Sequence, residues 1–257
     1  MQNPKNILIS GASSGLGFEL AIAYAAADIN LFLCGRNKEK LDEVKIICER
    51  LKANVSYKVF DIKNSTEAKN WIEEIEEKYA LDLVIANAGI SAGTAEGSES
   101  FAQVKEIFST NLDGVLNIIH PAIEKMLKRK KGQIALMSSL AGFRGLPSSP
   151  AYSASKAAVR VYAESLRGNL EKFGIEVNAI CPGYIKTPMT DVNDFPMPFL
   201  MPVKKAAQII KLGLAKNKSR LAFPFPLYFV VWLAALLSTK ITDPIFAKLP
   251  NKKALKN

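Results

Sequence analysis

Tyr152 and Lys156 stand four residues apart in the run Ser149-Pro-Ala-Tyr152-Ser-Ala-Ser-Lys156. On a helix that spacing puts both side chains on one face. A phenol is a poor acid at neutral pH, with an ordinary pKa of about 10. A nearby ammonium favours the phenolate, and a tyrosine tuned in this way can give and take a proton. The pair therefore points to general acid–base chemistry. With seven tyrosines in a lysine-rich chain, the same spacing also arises as two residues on a solvated helix face. What decides between these readings is the company the pair keeps.

Ser139 lies 13 positions before Tyr152, just after the apolar run Gly132-Gln-Ile-Ala-Leu-Met137, and Asn111 sits in Ser109-Thr-Asn111-Leu-Asp-Gly114. Near the start, the strand-like Lys5-Asn-Ile-Leu-Ile9 runs straight into Ser10-Gly11-Ala-Ser-Ser-Gly15-Leu-Gly17. Glycines between a strand and a helix permit a tight turn and close backbone approach, and the helix N-terminus then faces a pyrophosphate. Gly11, Ser13, Ser14, Gly15, Leu16 and Gly17 are thus the expected cradle of a dinucleotide.

These residues must be held by alternating elements. β-rich runs at 5–10, 30–34, 55–60, 82–86, 133–138 and 175–180 alternate with helical patterns near 15–27, 38–52, 65–79, 101–130, 151–173 and 203–216. That is the signature of parallel βαβ units. Runs such as Asn30-Leu-Phe-Leu-Cys34 are almost continuously apolar, as strands covered on both faces must be. The fold class expected is α/β, one doubly wound parallel sheet of Rossmann type. Residues 1–220 form the dinucleotide-binding catalytic domain in this reading, and residues 221–257 an atypical apolar, then basic, C-terminal extension.

The second strand ends Leu33-Cys34-Gly35-Arg36. A site for NAD usually carries an acidic residue here to hold the ribose 2′-hydroxyl. Gly35 takes that place, and Arg36 can pair with a 2′-phosphate bidentately. NADP (as NADPH in reduction) is therefore expected in preference to NAD.

Taken in order, Gly11-x-x-x-Gly15-x-Gly17, Asn87-Ala88-Gly89, Asn111, Ser139, Tyr152 and Lys156 resemble the short-chain dehydrogenase/reductase family over roughly residues 4 to 215. The resemblance implies an oxidoreductase acting on a carbonyl or alcohol. Tyr152 would move the proton and Ser139 would donate to the carbonyl oxygen; Ser139 is preferred to Ser138 by the family's spacing. Lys156 would also hold the nicotinamide ribose, and Asn111 would position a water. By the same resemblance Asp61 and Ile62 would contact adenine, while Asn87, Ala88, Gly89, Pro182, Gly183 and Thr187 would line the cofactor. The family often has a second asparagine where this chain has Ala86, and Ser10 replaces its usual threonine. A homo-oligomer, dimer or tetramer, is implied as well. His120, mid-helix between apolar residues, is expected to be a packing histidine.

The loop after Thr187 holds Met189, Phe195, Met197, Phe199, Leu200 and Met201 but no arginine or lysine before Lys204. It occupies the family's substrate-lid position and suggests a bulky apolar ketone or secondary alcohol, with Met189 and Phe195 beside Ser139 and Tyr152. Beyond it, 221–239 are uncharged, but Pro224 and Pro226 confine any unbroken helix to 226–239. Such a helix spans ~21 Å, short of a ~30 Å hydrocarbon core. This segment must be covered by the protein's own cleft, a second subunit or the membrane interface, where its aromatics and following basic residues would suit peripheral contact.

The bulk numbers exclude several classes. The formal net charge of +10 is not joined by any nucleic-acid module, so no nucleic acid is expected. Three scattered cysteines suit a reducing compartment without disulfides, and a single histidine makes a metal site unexpected. No secretory pattern precedes the first strand, so the expected location is cytoplasmic, with membrane association left open. Two rival readings remain: an NADP-binding scaffold or sensor without turnover, and a membrane-surface interaction protein.

Overall fold

Ile7 and Ile9 face one side of the first strand and Leu8 the other, and all three are fully buried. This two-sided burial recurs strand after strand and sets the architecture. The computed structural model describes residues 3–95 and 97–255. The first half alternates β1 (Asn6–Ser10), α1 (Gly15–Tyr24), β2 (Asn30–Gly35), α2 (Lys38–Arg50), β3 (Asn54–Val59), α3 (Ser65–Lys78) and β4 (Leu83–Ala86). A long helix follows as α4 (Phe101–Phe108) and α5 (Gly114–Arg129), and then β5 (Gly132–Met137), α6 (Pro150–Leu170) and β6 (Ile175–Pro182). The remainder comprises β7 (Ile185–Lys186), α7 (Pro188–Asp191), β8 (Met201–Pro202), α8 (Val203–Ala215), β9 (Arg220–Phe223), α9 (Phe225–Leu236) and α10 (Thr239–Phe246).

Seven strands pair in parallel in the order β3-β2-β1-β4-β5-β6-β9. One core fills the face carrying Leu8, Val84 and Leu136, where α3, α5 and α6 supply Trp71, Ile118 and Val159. The other fills the face of Ile9, Ile85 and Met137, covered by Leu20, Val44 and Ile210 from α1, α2 and α8. Strand order reverses between β1 and β4, so the loops leaving their carboxyl ends diverge and open a crevice.

The structure departs from the sequence expectations in three places. The helix expected over 101–130 is broken at Ser109–Asp113 by a π-helical turn, a local widening common at functional sites. A seventh strand exists: β9 pairs with β6 from Ala179–Arg220 to Pro182–Phe223. Leu221 and Phe223 are buried while Arg220 and Ala222 are less so, a period-two pattern hidden by the apolar run behind it. The division expected between 220 and 221 therefore falls inside the sheet, and the extension begins after Phe223. Finally, the helix confined by the prolines to 226–239 ends at Leu236, and a further helix follows it. α9 has 12 residues, about 18 Å at 1.5 Å per residue, and Ser238 caps α10 by accepting from the Lys240 N–H at 3.4 Å. Among the described residues no helix is long and apolar enough to cross a membrane.

Leu227, Tyr228 and Val231 seat α9 on the core, while Phe225, Val230 and Leu236 stay largely exposed. Arg144 fastens α10: its guanidinium donates to Thr242 Oγ1 at 3.0 Å, pairs with Asp243 and lies 5.3 Å over the Phe246 ring. Because Leu221 is 4% exposed within the sheet, Leu221→Ala should lower the unfolding free energy by about 2–5 kcal/mol. Urea denaturation checks this, and a change below about 0.5 kcal/mol would be that of a surface residue.

Candidate active site

Pro150 opens α6, where its missing N–H costs nothing, and the first turns of that helix carry Tyr152 and Lys156 to the end of β5. The Lys156 ammonium is buried and donates to the Met137 carbonyl at 2.9 Å. Ser138 Oγ donates back to the Lys156 carbonyl at 2.7 Å. Gly142 lets the backbones meet, since a Cβ there would lie 2.7 Å from the Lys156 carbonyl carbon. Ser139 follows in extended backbone; its Oγ accepts from the Ala141 N–H at 3.1 Å and reaches the Pro182 carbonyl at 3.4 Å.

The Ser139 and Ser91 side chains neighbour the Tyr152 hydroxyl and favour its ionised form. Burial pushes its phenol above the ordinary value of 10, and the two serines only partly oppose that. The expected depression by Lys156 is absent, because that ammonium is turned to Met137 and stands 5.9 Å from the tyrosine ring centre. Tyr152 is consequently held as the neutral acid. Lys156 itself is pushed down to about 8 by burial.

Asn111 sits on the π-helical turn, fully buried. Its Oδ1 accepts from the Ile90 N–H at 2.8 Å, and its Nδ2 donates to the Ile90 carbonyl at 2.9 Å and to Ser155 Oγ at 3.1 Å. It straps the loop after β4 to α6. His120 is exposed rather than packed inside, with Nε2 2.8 Å from the Tyr162 hydroxyl.

At the sheet's switch point, Ser10 Oγ accepts from the Asn87 and Ala88 N–H groups at 3.0 and 3.1 Å, knitting the ends of β1 and β4 together. Gly11 has φ +66°, and a Cβ there would lie 2.7 Å from the Ala88 Cα; at Gly17 it would meet the Gly11 carbonyl oxygen at 2.3 Å. The result is a shallow backbone cradle in front of α1, whose first turn carries no acidic residue. A Cβ at Gly35 would stand 2.8 Å from Ser13 Oγ, so Ser13 occupies the space in which an acidic side chain would begin. Arg36 projects at the rim, 3.9 Å from Asp61.

All these parts border one cleft of ≈ 710 Å³. Gly11, Ser13, Ser14, Gly15, Leu16, Arg36, Asp61, Ile62, Asn87, Ala88, Gly89, Pro182, Gly183 and Thr187 line it together with Ser139, Tyr152 and Lys156. Gly17 and Asn111 lie behind that wall. The bare cradle, the acid-free helix start and the rim arginine fit an anionic dinucleotide. On the other side Met189 and Phe195 line the cleft as expected, but Met201 is buried in the core and Phe199 and Leu200 turn outward. Much of the apolar wall comes instead from Leu227, Val231, Ala234 and Leu237.

Sequence reasoning missed Arg144, Tyr184 and Lys252, which line the cleft, and Ser91, which neighbours Tyr152 and accepts from Lys252. Ser91 could have been suspected, two residues past the Asn87-Ala88-Gly89 turn. Lys252 carries no local signal. With Arg144 and Lys252 present, the cleft is not free of cations on its substrate side, as the lid loop alone had suggested.

The short chain dehydrogenase family model matches residues 5–195. This chain belongs to the short-chain dehydrogenase family. As a short-chain dehydrogenase it is an NAD(P)-dependent oxidoreductase, a class that works on small molecules with a nicotinamide cofactor. It is 33% identical over 246 residues to an uncharacterized oxidoreductase of Myxococcus xanthus, covering 95% of this chain and 97% of that one. It is 36% identical over 191 residues to the 3-oxoacyl-acyl-carrier-protein reductase FabG of Rickettsia bellii, covering 73% and 76%. Solved structures share the fold: LigD of Sphingobium sp. strain SYK-6 in its apo form, TM-score 0.79 at 24% identity over 96% and 97% of the chains. An actinorhodin polyketide ketoreductase variant crystallised with NADPH gives TM-score 0.76 at 24% identity over 86% and 96%.

Asn111→Leu leaves the buried N–H and C=O of Ile90 without their partners, at roughly 1–3 kcal/mol each. Chemical denaturation should show a loss of about 2–6 kcal/mol, whereas a stability equal to the parent's would mean water replaces the amide.

Proposed function

We propose that this short-chain dehydrogenase uses NADPH to reduce an apolar ketone, or NADP to oxidise the matching secondary alcohol. The observation that carries the proposal is the pair of neighbouring hydroxyl residues, Ser139 and Tyr152, lining one cleft between the glycine cradle and an apolar wall. Bound in the cradle, the nicotinamide supplies the hydride that no side chain can. Gly11, Gly15 and Leu16 would hold its pyrophosphate, Pro182, Gly183 and Thr187 its carboxamide end, and Lys156 its ribose.

Two donors converging on a carbonyl oxygen meet the need of reduction, in which negative charge grows on that oxygen. Tyr152, kept neutral by burial, gives its proton to it. Ser139 donates a second hydrogen bond to the same atom. Lys156 holds positive charge beneath the site while the proton moves, and Asn111 keeps the Ile90 loop against α6. Preference for NADP rests on Arg36 at the rim and on Ser13 filling the space beside Gly35. The NADPH in the related ketoreductase structure is in keeping with it. The apolar wall from α9 favours substrates with substantial hydrocarbon.

Three outcomes test this reading. Tyr152→Phe should cut NADPH-dependent reduction of 2-decanone by about 10²- to 10⁴-fold, the usual worth of a general acid. Unchanged turnover would remove Tyr152 from the chemistry. Arg36→Leu should weaken NADPH binding about 10- to 100-fold with NADH binding unaltered, a charge-assisted pair being worth roughly 1.5–3 kcal/mol; equal losses for both would reject the 2′-phosphate contact. The pH profile follows from the signs. Lys156 is a cation below about 8 and Tyr152 a neutral acid to well above it, so kcat/KM for reduction should be level below 8 and fall above. A rise through that range would contradict the assignment.

A further inference from the structure

Four cations border the cleft, and three have an evident occupation. Arg36 faces Asp61, Arg144 is held by Thr242 and Asp243, and Lys156 is bound to the Met137 carbonyl. The fourth, Lys252, has no carboxylate partner among the described residues. Its ammonium donates to Ser91 Oγ at 2.5 Å and lies 5.3 Å from the centre of the Tyr152 ring. Ser91 also neighbours the Tyr152 hydroxyl, so the charge stands close to the proposed acid.

The lysine is brought there by design of the backbone rather than by a loose tail. The Ala95 N–H donates to the Lys252 carbonyl and the Gly93 N–H to the Lys253 carbonyl, both at 2.8 Å, and the Leu255 N–H reaches Gln103 Oε1 at 2.8 Å. Gly93 makes the room: a Cβ there would lie 2.4 Å from the Lys252 Cβ. Lys253 continues the attachment by pairing with Asp194 at 3.1 Å.

We infer that Lys252 binds an anionic group of the substrate, and that the substrate is a 2- or 3-oxo acid, or the matching hydroxy acid, with a hydrocarbon chain. Three ammonium protons meet one serine oxygen, so two donors are free for a carboxylate. Lys252 is half-buried, so an ammonium there without a counter-ion is unfavourable, and its partial burial pushes it down to about 8. A bound carboxylate removes that cost. With its carbon one or two bonds from the reacting carbonyl carbon, the carboxylate can reach Lys252 while the carbonyl oxygen meets Tyr152. The hydrocarbon then runs along Leu227, Val231, Ala234 and Leu237.

This inference rests on reading the cleft as a reductase site, and its test has one arm independent of turnover. Calorimetric titration of the full-length protein with decanoate and with 1-decanol compares a charged and an uncharged probe. Decanoate should bind Lys252→Met about 10- to 100-fold more weakly than the parent, with decanol unchanged and Lys252→Arg retaining most of the decanoate affinity. Equal losses for both probes would mean that Lys252 only seats the tail, and no loss for decanoate would remove it from the site; either overturns the inference. In the turnover arm, Lys252→Met should raise KM for 2-oxodecanoate by a clearly larger factor than KM for 2-decanone; equal factors would remove the carboxylate contact. Absence of any Tyr152-dependent turnover, with decanoate still discriminated, would instead sink the reductase reading and keep the anion site.

Discussion

The clamp between the end of β5 and the start of α6 is the constraint on which the rest of the site depends. Lys156 Nζ on the Met137 carbonyl, Ser138 Oγ on the Lys156 carbonyl and the close passage of Gly142 fix one helix face against one strand end. Everything chemical is measured from there. Ser139 is the next residue along the strand direction and Tyr152 lies one turn back on the helix, so both are brought to the same cleft without help from a flexible loop. A buried ammonium is expensive unless satisfied. Here a strand-end carbonyl satisfies it, and the same bond sets the register of the helix.

The clamp also explains the division of labour between the residues. Because Lys156 is turned to a backbone carbonyl, it does not pull the phenol of Tyr152 down; burial wins, and the tyrosine rests as an acid. That state suits protonation of a growing alkoxide more than abstraction of an alcohol proton.

The motif-bearing part of the fold was plain in the sequence because its information is local. A strand running into Gly11, a neutral residue at 35 with Arg36 behind it, and the Tyr152–Lys156 spacing each lie within a few residues, and the sheet merely collects them. What was not legible depends on distant partners. Ser91 and Lys252 are 161 residues apart, and nothing in the polar tail announces that its backbone pairs with Gly93 and Ala95. β9 was obscured because four residues with alternating burial lead into an apolar stretch, so periodicity was lost. The π-helical turn at Asn111 leaves no mark on a helical pattern at all. Arg144 could be placed only once α10 was known to fold back over it.

The central claim is that carbonyl carbon and nicotinamide meet in this cleft. It is tested most directly by incubating the protein with 2-decanone and 4-deuterated NADPH and following the label by deuterium NMR. The account predicts deuterium on the carbinol carbon of 2-decanol, with none formed beyond the solvent background in Tyr152→Phe. Tight NADPH binding with no labelled alcohol from the parent protein would contradict it.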